Sequence, residues 1–161
     1  RDQARALLSE AKEIVQAIRV DLEQYPDLYH AGYTQDALKE FAEANVVLAL
    51  VADEPLPDPD SLGVEYAAYL NGLGEAASEM RRRILDIIRH DHSSEAERLL
   101  EAMDEVYNLL VTIDYPDAIT GGLRRTTDLV RGVTERTRGD LTMSLRQQSL
   151  QESLKKFEAT K

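Results

Sequence analysis

The sequence of 161 residues has no cysteine, no tryptophan, only two phenylalanines and no long apolar run. The missing cysteines exclude disulfides, zinc–thiolate sites and thiol catalysis. No apolar segment approaches the roughly 20 residues that a membrane-spanning helix needs, and no signal peptide is recognisable. We therefore expect a cytoplasmic protein without a membrane partner, folded as a single domain over residues 1–161. Because the chain opens at Arg1 inside a helical pattern, we expect its N-terminus to be incomplete.

Negative charge is unevenly distributed along the chain, whose formal net charge is −11. Residues 1–114 contain 10 Lys and Arg against 24 Asp and Glu, whereas residues 115–161 contain 9 against 6. Arginine outnumbers lysine by 14 to 5, and its planar guanidinium group suits phosphate better than an ammonium group does. An acidic body with a basic C-terminal segment neither excludes nor establishes a phosphate-bearing substrate.

Apolar residues recur at helical spacing throughout the chain, and no segment alternates as a strand would. This spacing predicts an all-α fold, with helices over residues 1–24, 34–53, 63–90, 95–113 and 116–158. Thr34 or Asp36 is expected to cap the second helix, and the proline-rich segment 54–61 to form a non-helical linker. Residues 44–52 are almost entirely apolar, which predicts a segment buried nearly all round. The third helix is expected to bury a stripe formed by Tyr66, Leu73, Ala77, Met80, Ile84 and Ile87.

Two pairs of glutamates stand at helical spacing on the second and third predicted helices. Glu40 and Glu43 are three residues apart, and Glu75 and Glu79 are four apart, so each pair lies on one side of its helix. Neighbouring helices would bring the four carboxylates together, and the short linker favours an antiparallel arrangement. Like charges gathered in one place need protons or a cation between them, and oxygen ligands suit Mg²⁺ or Mn²⁺. The alternative is that the glutamates face solvent or pair with arginines.

The residues around the two pairs favour the metal site. Glu43 lies on the same row as Val47 and Leu50, and acidic residues on an apolar row rarely lack partners. Glu75 and Glu79 share their face with Ala68 and Gly72. Such small residues let another helix approach closely, so a packed carboxylate site explains this face better than plain solvent.

Two other polar segments carry weaker signals. His90-Asp91-His92 contains metal-binding residue types, but it stands between two predicted helices and is better interpreted as an exposed loop. The densest basic segment is part of the last predicted helix and contains Arg124, Arg125, Arg131, Arg136 and Arg138. It lacks the spacing of a phosphate-binding loop. It is either a nucleic-acid contact or an ordinary solvated or subunit-facing helix surface.

The two glutamate motifs, in this order on consecutive helices, resemble the translin superfamily. Within it they are most similar to the branch of translin-associated factor X, Trax. That branch has an aromatic residue between its first two glutamates, as Phe41 stands between Glu40 and Glu43 here. Its second motif is matched by Tyr69, Leu70, Gly72, Glu75, Ser78, Glu79 and Arg82, with Glu75 where the family commonly has Asp. The resemblance covers residues 28–161.

The resemblance implies an all-α, translin-like bundle with a long C-terminal helix, assembled into a hollow homo-oligomer that we expect to be an octamer. It implies a Mg²⁺- or Mn²⁺-dependent endoribonuclease that acts on single-stranded RNA and that can also bind DNA. Its catalytic and metal-binding residues would be Glu40, Glu43, Glu75 and Glu79. The candidate RNA contacts are Arg82, Arg124, Arg125 and Arg131.

Two other functions stay open at this point. One is a translin-like assembly subunit that binds RNA or DNA without cleaving it. The other is an all-α nucleoside triphosphate pyrophosphohydrolase, which also holds Mg²⁺ with acidic pairs on consecutive helices. The second pair of such enzymes is usually E-x-x-D, which differs from Glu75-x-x-x-Glu79 here. A di-iron bundle is disfavoured because no Glu-x-x-His pair stands on any predicted helix.

Overall fold

The computed structural model describes residues 1–90 and 94–159, and all regular structure in these ranges is helical. The longer helices are α1 (Asp2–Asp21), α3 (Gly32–Ala52), α5 (Tyr66–His90), α6 (Ser94–Val111) and α8 (Leu123–Ala159). The one-turn helices are α2 (Pro26–Tyr29), α4 (Pro59–Leu62) and α7 (Asp117–Thr120). This confirms the predicted all-α bundle with a long C-terminal helix. Within the described ranges, no helix combines the length and the apolar character needed to cross a membrane.

Helix α5 is the centre of the bundle and packs against α3, α6 and α8. Leu73, Met80 and Ile84 are fully buried on it, as their spacing predicts. Tyr66 was predicted to begin this buried stripe, and that prediction was wrong, because its side chain is 63% exposed. Tyr66 is the first residue of α5, and its hydroxyl group turns outward to lie 3.3 Å from each carboxylate oxygen of Asp60.

Helices α3 and α5 touch along the small face of α5. A Cβ atom added at Gly72 would lie only 2.6 Å from the carbonyl oxygen of Lys39 and 3.0 Å from the backbone nitrogen of Glu43. Ala42 and Ala68 are buried at the same contact region. The structure therefore confirms that this small, acidic face admits a second helix.

The two helices run parallel, so the predicted antiparallel arrangement was wrong. Tyr29, just before α3, donates a hydrogen bond to Glu65, just before α5, and Lys39 bonds to Glu75 further along both helices. The linker between them returns along the bundle, where the Tyr69 hydroxyl donates to the Pro57 carbonyl oxygen at 2.7 Å. The length of this segment, rather than its proline content alone, makes the parallel connection feasible.

Helix α8 is fixed to α5 by a polar contact centred on the buried side chain of Asn71. The Thr126 hydroxyl donates to Asn71 Oδ1 at 2.7 Å, and Asn71 Nδ2 donates to the Thr120 carbonyl oxygen at 2.8 Å. The α7–α8 join runs through Gly121 and Gly122, whose φ angles are +64° and +84°. This left-handed backbone conformation favours glycine, because glycine has no Cβ atom to clash with the backbone. The contact holds the start of α8 beside the α3–α5 crossing.

Three local expectations differ from the structure. Helix α3 begins at Gly32, and Thr34 is buried within it, where its hydroxyl donates to the Leu28 carbonyl oxygen instead of capping the helix. The linker contains the one-turn helix α4, capped by Asp58, which accepts from the Ser61 backbone N–H at 2.8 Å. Of the histidine segment, His90 is the exposed last residue of α5, while 91 and 92 lie outside the described residues.

The apolar segment 44–52 of α3 is less buried than its sequence predicts. Val46 and Ala49 are buried, Val47, Leu50 and Val51 are half-buried, and Ala44 is exposed. Its end is covered by Arg98, which donates to the Leu50 carbonyl oxygen at 2.8 Å. A single chain therefore leaves part of this apolar surface accessible.

Candidate metal centre

The four predicted acids lie where α3 and α5 cross. Glu40 and Glu43 are on α3, and Glu75 and Glu79 are on α5. The close approach at Gly72 sets the helix separation, because the backbone of Lys39 and Glu43 leaves no room for a side chain there. Gly72 and Ala68 on α5 thus allow the long acidic side chains of both helices to meet beside the contact.

Three of the four acids converge. Glu40, Glu43 and Glu75 each present a carboxylate oxygen, and these three oxygens all lie within 4.8 Å of one another. Glu40 is exposed, whereas Glu43 and Glu75 are half-buried. Glu79 lies outside this group, and its carboxylate is 3.7 Å from the guanidinium group of Arg82. The predicted convergence therefore holds for three residues, with Glu79 near them but not among them.

Glu43 is the most perturbed acid of the group. Burial, followed by the negative charges of Glu40, Glu75 and Glu79, raises its pKa from 4.5 to about 7, against the opposing charge of Lys39. Within residues 1–90 and 94–159, no donor makes a hydrogen bond or ion pair with its carboxylate. The charged form of this carboxylate is thus disfavoured in the chain alone, and a proton or a bound cation would relieve the penalty.

The oxygen atoms of this group fit one hard divalent cation. Mg²⁺ binds oxygen at about 2.0–2.1 Å and Ca²⁺ at about 2.3–2.6 Å, so ligands on opposite sides of one ion lie about 4–5 Å apart. The three carboxylate oxygens lie within 4.8 Å of one another, close enough to surround one such ion. Carboxylate ligands suit Mg²⁺ and Mn²⁺ better than softer metals. The set could therefore share one ion after small side-chain movements.

Lys39 also belongs to this site, although no sequence pattern identified it as a site residue. Its Nζ atom donates to Glu75 Oε1 at 2.9 Å and lies 3.5 Å from Glu40 Oε1. The hydrogen bond to Glu75, supported by the charges of Glu75, Glu40 and Asp36, raises the pKa of Lys39. The only sequence signal was its position directly before Glu40. A cross-helix ion pair cannot be read from that position.

The four predicted RNA-contacting arginines are all exposed, but they do not share one surface. Arg125 lines a groove of about 830 Å³ that Lys39 and Glu75 also line. Arg124 lies at a neighbouring depression beside Asp117 and Asp128, and Arg82 stands next to Glu79. Arg131 lies further along α8. Arg125 is thus the predicted arginine that the structure places on the same groove as Glu75, one of the three converging acids.

This groove is bordered by Glu75 and is lined by residues of α3, α5 and the start of α8. Besides Lys39, Glu75 and Arg125, its wall includes Tyr66 and Leu129, both of which are largely exposed. An exposed aromatic ring and an arginine beside a carboxylate group are the side chains that can contact an unpaired base and a phosphate. The sequence did not identify Tyr66 here, because its spacing indicated a core position.

Comparisons with known proteins give a consistent result. The structure of an Archaeoglobus C3PO–duplex RNA complex matches with a TM-score of 0.82 and 31% identity, covering 89% of this chain and 74% of that chain. A crystal structure of the same C3PO matches with a TM-score of 0.80 and 32% identity over equal shares. The uncharacterized protein MJ0175 of Methanocaldococcus jannaschii is 28% identical over 159 residues, which are 98% of this chain and 70% of that protein. No protein-family model matches the chain. C3PO is of the translin and Trax type. Because this chain is more than 30% identical to the Archaeoglobus C3PO chain over most of both chains, it belongs to the translin superfamily.

Proposed function

We propose that this chain is a Trax-like, Mg²⁺-dependent endoribonuclease that acts on single-stranded RNA within a homo-oligomer. The observation that carries the proposal is the group formed by Glu40, Glu43 and Glu75, whose carboxylate oxygens lie within 4.8 Å of one another. Glu43 adds to its weight, because a cation would offset the burial and the neighbouring negative charges that disfavour its charged form. A full acidic set also favours the Trax-like branch.

In this proposal the three converging carboxylates hold the cation. Mg²⁺ or Mn²⁺, when bound there, would offset the negative charge of a phosphodiester and lower the pKa of a water molecule. Glu79 stands near the group without belonging to it. It is therefore the acid available as a general base, which would take a proton from the attacking water.

RNA is the substrate class that the surroundings favour. The related C3PO was solved with duplex RNA, and the groove beside the acids carries Arg125 for a phosphate and Tyr66 for a base. Stacking of a base on an aromatic ring requires an unpaired nucleotide. Single-stranded RNA is thus the expected substrate, and single-stranded DNA a further ligand.

Self-association is proposed from the apolar surface that the single chain leaves exposed. Met143, Leu150, Leu154 and Phe157 on α8 are each more than half exposed. They recur at helical spacing along the outer part of α8, which is typical of a helix that packs against another subunit. We propose a homo-oligomer, with eight subunits as the expected number.

A second candidate is an RNA-binding subunit that does not cleave. The observation that favours it is the ion pairing of Lys39 with Glu75 and Glu40, which already neutralises part of the acid group. Membership of the translin superfamily is compatible with this role and disfavours the pyrophosphohydrolase alternative.

Cleavage of end-labelled single-stranded RNA distinguishes the two candidates. We expect Mg²⁺-dependent cleavage by the wild-type chain, no cleavage by Glu43→Gln, and unchanged cleavage by Glu101→Gln, which alters an exposed acid on α6. Gln keeps the volume of Glu43 but removes the charge that binds the cation. Equal cleavage by wild type and Glu43→Gln would refute the nuclease assignment, and binding without cleavage by the wild type would support the second candidate.

A further inference from the structure

Lys39 occupies an unusual place for a surface lysine. Its side chain is only 20% exposed, and its ammonium group lies among carboxylates, 2.9 Å from Glu75 and 3.5 Å from Glu40. Both partners belong to the group that the proposed function assigns to a divalent cation. The lysine therefore uses the same carboxylates that the metal would need.

An ammonium group and a divalent cation compete for the same carboxylates. Each is attracted by the same negative charges, and the two repel each other. A divalent ion has the stronger attraction, and oxygen ligands are its preferred ones. A metal ion bound there would therefore favour departure of the ammonium group from its contacts with Glu75 and Glu40.

The structure also shows where the displaced side chain can go. Lys39 lines the groove of about 830 Å³ that separates Glu75 from Arg125. Its four-carbon stem has several rotatable bonds, so the ammonium group can change position while the backbone stays fixed. The backbone is fixed in turn, because the Lys39 carbonyl lies against Gly72.

We propose that Lys39 is the resident counter-ion of the acid group, and that a divalent cation displaces its ammonium group into the groove, where it binds a phosphate of the RNA. Lys39 thus couples binding of the metal ion to binding of RNA, since metal binding moves a positive charge into the groove where the RNA would lie. The inference rests on the proposed function, because it needs the metal site. It adds a residue that contacts substrate only after the metal has bound.

Calorimetric titration of the protein with Mn²⁺, without RNA, tests the displacement. We expect Lys39→Met to bind Mn²⁺ about fivefold to tenfold more tightly than wild type, because the competing cation is gone. Lys39→Arg keeps a cation and should bind as wild type does. Arg89→Met is the matched control, since it removes one positive charge from an exposed pair with Asp86 elsewhere on α5.

Equal or weaker Mn²⁺ binding by Lys39→Met would overturn the displacement. Circular dichroism checks that each variant folds. If Lys39→Met does not fold, Lys39→Arg provides the test, because this variant has to bind Mn²⁺ within about twofold of wild type. Absence of Mn²⁺ binding by the wild type would overturn both this inference and the proposed function. Normal wild-type binding with no gain in Lys39→Met would overturn this inference alone.

Binding of a cleavage-resistant single-stranded RNA tests the second half. With Mn²⁺ present, Lys39→Met should bind this RNA about threefold to tenfold more weakly than wild type, because one phosphate contact is lost. With EDTA, the two should bind equally, because the wild-type ammonium group is still held by Glu75 and Glu40. A loss of the same size in EDTA and in Mn²⁺ would show that Lys39 reaches RNA without displacement, and would overturn the proposal.

Discussion

The metal-free protein should gain stability when Glu43 loses its charge. In the folded chain the pKa of Glu43 is raised to about 7 from its ordinary value of 4.5. Below pH 4.5 the carboxyl group is protonated in both the folded and the unfolded chain, so folding meets no penalty. As pH rises from 4.5 to 7, the unfolded chain releases this proton while the folded chain keeps it, and the free energy of unfolding falls. Above pH 7 the loss is complete.

The size of this loss follows from the same values. A change in pKa from 4.5 to about 7 sets an upper limit of about 3 kcal/mol at alkaline pH. Because the side chain of Glu43 is only half-buried, screening by solvent reduces this limit, and we expect about 1 kcal/mol. Glu43→Gln should therefore match wild type near pH 4.5 and exceed its free energy of unfolding by about 1 kcal/mol at pH 8.

Urea denaturation in EDTA at a series of pH values measures this difference, with the protein concentration held constant because assembly also affects stability. Glu101→Gln, at an exposed position, should show no such pH dependence. Excess Mg²⁺ should reverse the order, because it stabilises only the chain that binds it, by about 2.7 kcal/mol at a hundredfold excess over Kd. A Glu43→Gln variant that is less stable than wild type at pH 8 in EDTA would refute the reasoning, since it would show that the charge makes a favourable contact.

Two further predictions concern packing and assembly. Gly72→Ala should lower the free energy of unfolding by about 1–3 kcal/mol and weaken Mn²⁺ binding, because the new Cβ meets the Lys39 carbonyl oxygen at 2.6 Å. A Cβ atom added at Gly139 would meet nothing within 4 Å, so Gly139→Ala should instead stabilise α8 by about 0.5–1 kcal/mol. Urea denaturation measures the free energy of unfolding of both variants. An equal effect of the two changes would contradict the close approach of α3 and α5 at Gly72. Light scattering should give an oligomer for wild type and a smaller mass for the double variant Leu150→Lys with Leu154→Lys, both exposed in the single chain. Lysines placed at Gln147 and Gln151 provide the control, and a wild-type monomer at micromolar concentration would contradict the proposed assembly.

Helical spacing predicted the elements of this fold because each long helix buries one consistent stripe. The stripe through Leu73, Met80 and Ile84 was predicted correctly, since these residues lie in the middle of α5, where neighbours cover it on several sides. Tyr66 has the same spacing but stands at the end of the helix, where its ring is exposed. Periodicity assigns a residue to a face of a helix, but it does not show how far along the helix its neighbours extend.

The direction of the second and third long helices could not be obtained from the linker. A short connection favours antiparallel neighbours, but the segment between α3 and α5 is long enough to return along the bundle. The contacts that reveal the parallel arrangement, Tyr29 with Glu65 and Lys39 with Glu75, join residues 36 positions apart. Such pairs leave no mark in local sequence patterns.

The acid group was partly predictable from the sequence, because helical spacing places acidic residues on one face of each helix. The spacing of Glu40 with Glu43, together with the small residue at Gly72, was sufficient to predict that acids from both helices meet. It was not sufficient to separate Glu75 from Glu79, which are one turn apart on the same face; in the structure Glu75 joins the group and Glu79 pairs with Arg82. The role of Lys39 depends on a cross-helix ion pair and required the structure.

The position of a bound Mn²⁺ ion is the most direct test of the metal site. Crystals of the wild-type chain grown with Mn²⁺, measured near the manganese absorption edge, reveal the ion by its anomalous scattering. We expect a peak within about 2.0–2.6 Å of carboxylate oxygens of Glu40, Glu43 and Glu75, and no peak at this position in Glu43→Gln. Manganese bound only elsewhere on the chain, with these three carboxylates left without an ion, would contradict it.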